Sequence, residues 1–197
     1  MRLTNSRYEE IKNIIADMLE DYDISTFPVD VDYIAKQMNI VFVYESSHLE
    51  DLDGTVIPVD GAVLTDYSKM IHKVFIANWS TYKGKQRYTK GHEVGHVVLG
   101  HKVCTDETES ESEFFSAYLF APSCLVLVER LRPILLNNPE LYPALFGLSG
   151  SAANYAYNRF KLRYSCGAPL KEYEKRILEI FKDSIKEIIV KYENYEI

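Results

Sequence analysis

Near the start of the chain, apolar side chains recur at helical spacing. Tyr8, Ile11, Ile14, Ile15, Met18, Leu19 and Tyr22 mark one face of an amphipathic helix over 6–22. Ser6 and Glu9 have the spacing of a capping box at its start. Phe27-Pro28-Val29-Asp30 interrupts the pattern, and Asp30 is placed to cap a short helix ending at Met38. The period then changes. Ile40-Val41-Phe42-Val43-Tyr44 is β-rich, as is Val74-Phe75-Ile76-Ala77. Thr55-Val56-Ile57 and Ala62-Val63-Leu64-Thr65 flank Asp60-Gly61, a dipeptide suited to a tight hairpin, and Pro58 suits a strand end or edge. These features predict a small, mostly antiparallel sheet between Ile40 and Ala77. From Tyr88 the pattern is helical again, with helices expected over 88–101, 109–120, 123–131, 139–146, 150–163 and 170–192. No repeat or linker is evident. The expectation is one α+β domain over 1–197, with helices, sheet and a motif-bearing helix in 1–101 and a helical half in 102–197.

Composition narrows the possible functions. The chain has 197 residues and is 47% hydrophobic, enough for a well-buried core. Its 22 basic and 29 acidic side chains give a net charge of −7, which argues against direct nucleic-acid binding driven by charge. Charges scattered through Met1–Tyr22 do not fit a signal peptide. No stretch has the length and apolarity of a membrane span, so no membrane partner is expected. The three cysteines, Cys104, Cys124 and Cys166, are odd in number and lack CxxC spacing. They suggest neither a disulfide framework nor a thiolate metal knuckle, and a reducing cytoplasm is the expected location.

The chemistry concentrates in Gly91-His92-Glu93-Val94-Gly95-His96-Val97-Val98-Leu99-Gly100-His101, which contains His-Glu-x-x-His. Helical positions four apart differ by about 40° of azimuth, so His92 and His96 project from one face and can share one ion. Glu93 lies about 100° around, where it can serve a water on that ion instead of completing the same tetrahedron. Two neutral imidazoles holding Zn²⁺ beside a proton-accepting carboxylate are what metal-assisted hydrolysis needs. Gly91 and Gly95 leave room for close backbone approach. His101, five residues after His96, falls about 140° around a continued helix and away from the metal face. Cys104 lies between the two motifs with little to mark it as a ligand. A third ligand is expected downstream. Glu109 and Glu113 share one helical face, so one could bind the ion while the other orients a ligating imidazole, whereas Glu111 points elsewhere.

Arg87-Tyr88-Thr89-Lys90-Gly91-His92-Glu93-Val94-Gly95-His96, followed by Glu109 through Glu113-Phe114-Phe115-Ser116-Ala117 to Ala121-Pro122, resembles the ImmA/IrrE family of metallopeptidases. That family reads approximately Arg-Phe-Thr-x-Ala-His-Glu-Leu-Gly-His, then Glu-x-x-Ala-Asn/Asp-x-Phe-Ala and Leu-Leu-x-Pro. The resemblance implies a zincin-like fold, with the small sheet against the His-Glu-x-x-His helix. It implies His92, His96 and Glu109 as ligands of one zinc ion and Glu93 as the catalytic glutamate. Glu113 is the candidate for orienting a ligand from behind. Ser112 stands where Ala is usual and Glu113 where Asn or Asp is usual, and the spacer from His96 to Glu109 is short. If Glu109 fell short of the ion, Glu113 would be its substitute. The implied activity is zinc-dependent endopeptidase cleavage of a helix-turn-helix repressor in a mobile element or stress response. The alternative is a non-catalytic metal-binding regulator or toxin–antitoxin component that uses the same fold to bind protein. An extended substrate is expected along a sheet edge, with Ala62–Thr65 as the candidate strand.

The helical tail contains a short helix, a turn at Gly147 and a longer helix, an arrangement like a helix-turn-helix near 139–163. Arg159, Lys161 and Arg163 would suit DNA. Tyr155, Tyr157 and Phe160 have core character, and together with the acidic balance they favour packing. Tyr173, Ile177, Phe181, Ile185 and Ile188 predict that the last helix covers the core.

Overall fold

The computed structural model describes residues 3–45, 48–50, 56–58, 61–66, 71–77 and 83–192. In order, these form helices α1 (Asn5–Asp21) and α2 (Val31–Gln37), then strands β1 (Ile40–Glu45), β2 (His48–Glu50), β3 (Val56–Pro58), β4 (Gly61–Asp66) and β5 (Ile71–Ala77). Helices α3 (Lys83–Val98), α4 (Asp106–Phe120), α5 (Arg132–Asn137), α6 (Tyr142–Phe146), α7 (Gly150–Ser165), α8 (Glu172–Ile180) and α9 (Lys182–Tyr192) follow. The fold is α+β, as the pattern predicts. No described helix is long and apolar enough to cross a membrane.

Two compact units make up the chain: Val31–Ser116 with the first three residues, and Thr4–Asp30 with Ala117–Ile197. The border falls inside α4 and after Asp30.

In the first unit the strand pairing differs from the expected mostly antiparallel sheet. The three-stranded sheet has the order β1-β5-β4. β1 runs parallel to β5, from Ile40 opposite His72 to Glu45 opposite Ala77. β4 runs antiparallel to β5, from Gly61 opposite Ile76 to Asp66 opposite Ile71. β2 and β3 form a separate antiparallel pair. The hairpin expected across Asp60-Gly61 does not join its two flanking segments: β3 pairs with β2, and Gly61 opens β4. Apolar runs located four of the five described strands and missed β2, and pairing partners depend on register and crossover, which short runs do not encode. Thr55 and Asp60 lie outside the described residues.

α3 and α4 meet closely because of one glycine. A Cβ on Gly95 would lie 3.0 Å from Cδ1 of the fully buried Phe115 ring, so Gly95 lets the ring rest on the α3 backbone. The Tyr88 hydroxyl donates to the Glu113 carbonyl (3.2 Å), and the Ser116 hydroxyl donates to the Tyr88 carbonyl (3.1 Å). Lys90 fastens α3 to its other neighbours. Its ammonium donates to Asp32 of α2 (2.6 Å) and lies 4.8 Å from the Phe42 ring centre of β1.

In the second unit α1 buries Ile11, Ile15 and Leu19. It is capped by Thr4, whose hydroxyl accepts from the Arg7 N–H, instead of by Ser6. The tail is more broken than its periodicity suggests. The segment 123–131 begins as a 3-10 turn at Ser123–Leu127, and 170–192 divides into α8 and α9 at Phe181. Tyr173, Ile177, Phe181, Ile185 and Ile188 are all buried.

Near 139–163 a short helix, a turn and a longer helix follow one another. Gly147 takes φ +65° after α6, and the Ser149 hydroxyl caps α7 by accepting from the Ala152 N–H. Its basic residues, however, are held by packing within the unit. Arg163 donates through Nε and Nη2 to the two carboxylate oxygens of Glu174, at 2.8 and 2.7 Å. The Arg159 guanidinium carbon lies 5.7 Å from the Tyr118 ring centre, and Lys161 Nζ lies 5.1 Å from that of Tyr157. Phe160 is fully buried, while Tyr155 is exposed, so the core character read for Tyr155 does not hold.

Candidate metal centre

α3 sets the first two site residues by its pitch alone. His92 and His96 lie one turn apart, with Nε2 atoms 3.0 Å from each other. α4 supplies the third. It starts three residues earlier than expected because Thr105 and Thr108 cap it reciprocally: each side-chain oxygen accepts from the other's backbone N–H, at 3.2 and 2.9 Å. That start places Glu109 in the first turn, with its carboxylate 3.1 Å from His92 Nε2 and 3.3 Å from His96 Nε2. One ligand atom from each of His92, His96 and Glu109 lies within 4.8 Å of the others, a group that could hold a metal ion.

The donor set fits a divalent cation such as zinc. A tetrahedral zinc ion with ligand bonds of about 2.0–2.1 Å spans ligand–ligand edges of roughly 3.3 Å, close to the separations here. Two histidines and a glutamate also make a known catalytic zinc set with an open position. The protonation states agree. Burial, and then the neighbouring His92, pushes His96 down to about 4. Burial likewise lowers His92, against the pull of Glu109. Burial raises Glu109, but the Cys104 thiol hydrogen bond and the two imidazoles outweigh it and hold the carboxyl below its usual range. At neutral pH the cluster is therefore two neutral imidazoles and one carboxylate, with net negative charge and lone pairs converging on one point.

Glu93 sits beside this group and is 6% exposed. Burial, with the Glu109 charge adding to it, pushes its carboxyl up to about 8. A cation held by His92, His96 and Glu109 would favour the ionised form, which would leave Glu93 able to take or give a proton near neutral pH. Cys104 is exposed, and its thiol donates to Glu109 at 3.2 Å.

Glu113, expected to orient a ligand, is exposed; its charge acts on His92, and its backbone carbonyl accepts from the Tyr88 hydroxyl. Behind His96 stand His101 and Glu111 instead. His101 Nδ1 lies 2.9 Å from His96 Nδ1, and His101 Nε2 lies 2.8 Å from a carboxylate oxygen of the buried Glu111. The 140° argument fails because α3 ends at Val98. Gly100 takes φ +70°, the His101 N–H reaches the His96 carbonyl and the Gly100 N–H the Val97 carbonyl. This is a Schellman motif, and it folds His101 back over His96. The signal was present in the sequence: a glycine right after an apolar helical run is a stop.

No protein-family model matches the chain, and no curated protein matches it. The chemistry of the site accordingly rests on its own geometry: a triad on two helices that could hold a cation, with a buried carboxylate alongside.

Proposed function

We propose that the protein is a zinc-dependent endopeptidase of the ImmA/IrrE type. The observation that carries the reading is the convergence of His92, His96 and Glu109 with Glu93 buried beside them. The resemblance of 87–96 and 109–122 to that family's two motifs supports it, as does the position of α3 beside β4 and β5, the arrangement a zincin-like fold requires.

A divalent cation at this site supplies Lewis acidity, polarising a carbonyl and acidifying water. The residues do the rest. His92 and His96 donate ring Nε2 lone pairs, and Glu109 contributes charge. Glu93 accepts the proton of the attacking water on its carboxylate and returns it to the leaving amine. β4 lies at the edge of the described three-stranded sheet and next to α3, so Ala62–Thr65 can take an extended substrate as a further strand. The substrate is a protein, a helix-turn-helix repressor, and the protein acts in the cytoplasm.

The test is incubation of the zinc-loaded protein with any helix-turn-helix repressor found encoded beside its gene. Discrete fragments are expected from the wild type and none from Glu93→Gln, although both bind one equivalent of zinc. A repressor left whole by the wild type under inducing conditions overturns the peptidase reading.

A further inference from the structure

Glu111 is a carboxylate from a run of acidic residues, yet its side chain is 7% exposed and it faces a histidine whose side chain is equally buried. A buried carboxylate without a donor is costly, and this one takes the N–H at His101 Nε2. With that N–H on Nε2, the other ring nitrogen, Nδ1, is placed as the acceptor of the next link. Two groups address it: His96 Nδ1 at 2.9 Å and the hydroxyl of the fully buried Ser112 at 3.4 Å. A ring nitrogen that meets an acceptor must itself donate, so His96 carries its proton on Nδ1. Its Nε2, on the opposite side of the ring, is left bare and directed at His92 and Glu109.

We propose that Glu111 and His101 are positioning residues that hold His96 in the Nδ1–H tautomer and so set how tightly the triad holds a divalent cation. The inference rests on the metal reading above and deepens it. A ligating histidine is commonly oriented by one carboxylate or carbonyl on its second nitrogen, and removing such a partner costs about 10–100-fold in metal affinity. Here an imidazole is interposed, so the carboxylate acts from one ring further away. The relay also accounts for a buried acidic residue in α4 that the triad does not use. Its geometry depends on Gly100, because a helix continued through residue 101 would carry His101 to another face.

The experiment is competitive zinc titration of the full-length, metal-free protein against a chromophoric chelator, with circular dichroism to check each variant's fold. His101→Phe and Glu111→Leu are expected to weaken zinc binding about 10–100-fold at unchanged stoichiometry. The double variant His101→Asn/Glu111→Gln should stay close to wild type, because the Asn amide oxygen takes the place of the ring Nδ1 as acceptor. Cobalt(II) substitution gives a second readout: the tetrahedral ligand-field bands of the wild type should shift in His101→Phe and return in the double variant. In the metal-free wild type, long-range ¹H–¹⁵N spectra of the imidazoles should show His96 protonated at Nδ1. That measurement needs no variant and decides the matter if the substitutions unfold the chain. Wild-type zinc affinity in folded His101→Phe and Glu111→Leu, or His96 protonated at Nε2, overturns the relay alone. Failure of the wild type to bind zinc overturns the metal reading with it.

Discussion

Glu174 and Glu109 both face nitrogen-bearing side chains, but the two settings differ in where the positive charge comes from. Glu174 is 1% exposed and meets Arg163 in a two-pronged ion pair, while the Lys171 N–H donates to it at 3.0 Å. That cluster brings its own cation and is complete within the chain. Glu109 meets His92 and His96, whose rings are kept neutral by burial. That cluster carries lone pairs and negative charge in excess. The first arrangement is self-contained, and the second is one that could hold a cation. What separates them is the acid–base character of the partner: a guanidinium stays charged where an imidazole surrenders its proton.

The contrast is broken most severely at its charged ends. Arg163→Ala strands a buried carboxylate and should cost about 3–5 kcal/mol in denaturant unfolding while leaving zinc affinity in the folded protein unchanged. His96→Ala should do the opposite. Loss of one of three ligands is expected to weaken zinc binding on the order of 10³-fold by chelator competition, with only a modest change in metal-free stability. An Arg163→Ala protein of wild-type stability would show that the Glu174 pair is not the completed cluster described here.

A smaller effect sharpens the comparison through pH. Glu93 has a folded value raised from 4.5 to about 8, so the folded metal-free protein binds the extra proton and loses stability as pH climbs through that range. His96 has a folded value lowered from 6.5 to about 4, so its contribution grows as pH rises to 6.5 and is then constant. The two oppose each other in acid, and the Glu93 effect stands clear between 6.5 and 8. At 1.36 kcal/mol per unit, the metal-free protein should lose about 2 kcal/mol across that interval. Glu93→Gln should abolish the loss, and thermal melts at several pH values check it. A slope that survives in Glu93→Gln assigns the titration elsewhere.

Backbone variants give the smallest effects. Gly95→Ala pushes a methyl group against Phe115 and should cost about 1–3 kcal/mol, read by chemical denaturation. Gly100→Ala meets no atom within 4 Å but strains φ +70°, and should cost about 1 kcal/mol. Its cost should rise together with a weakened grip on zinc, since His101 hangs on that turn.

Much of the site was legible in the sequence, for a local reason. The separation of His92 and His96 is one helical turn, so any α-helix through 88–98 brings their rings together. The downstream acidic run was equally visible, and the family resemblance singled out Glu109. Glu111, read as pointing elsewhere, is the acidic residue buried against His101. Helical azimuth within α4 says which acidic residues share a face, but not which face meets α3. Four of the five described strands were located by their apolar runs and β2 was missed, and the parallel pairing of β1 with β5 joins segments with three strands between them in the chain. Of Arg159, Lys161 and Arg163, which would suit DNA, Arg163 is taken by Glu174, across a turn in α8.

The sequence by itself determined the α+β class, the paired imidazoles on one helical turn and the carboxylate beside them, because each follows from periodicities of a few residues. Only the tertiary structure decided that Glu109 closes the triad and that Glu111 reaches His96 through His101. Those contacts depend on a left-handed glycine that reverses the chain at residue 100 and on a ring seated against Gly95. A contact between segments is set by how their surfaces fit, and no local periodicity carries that information.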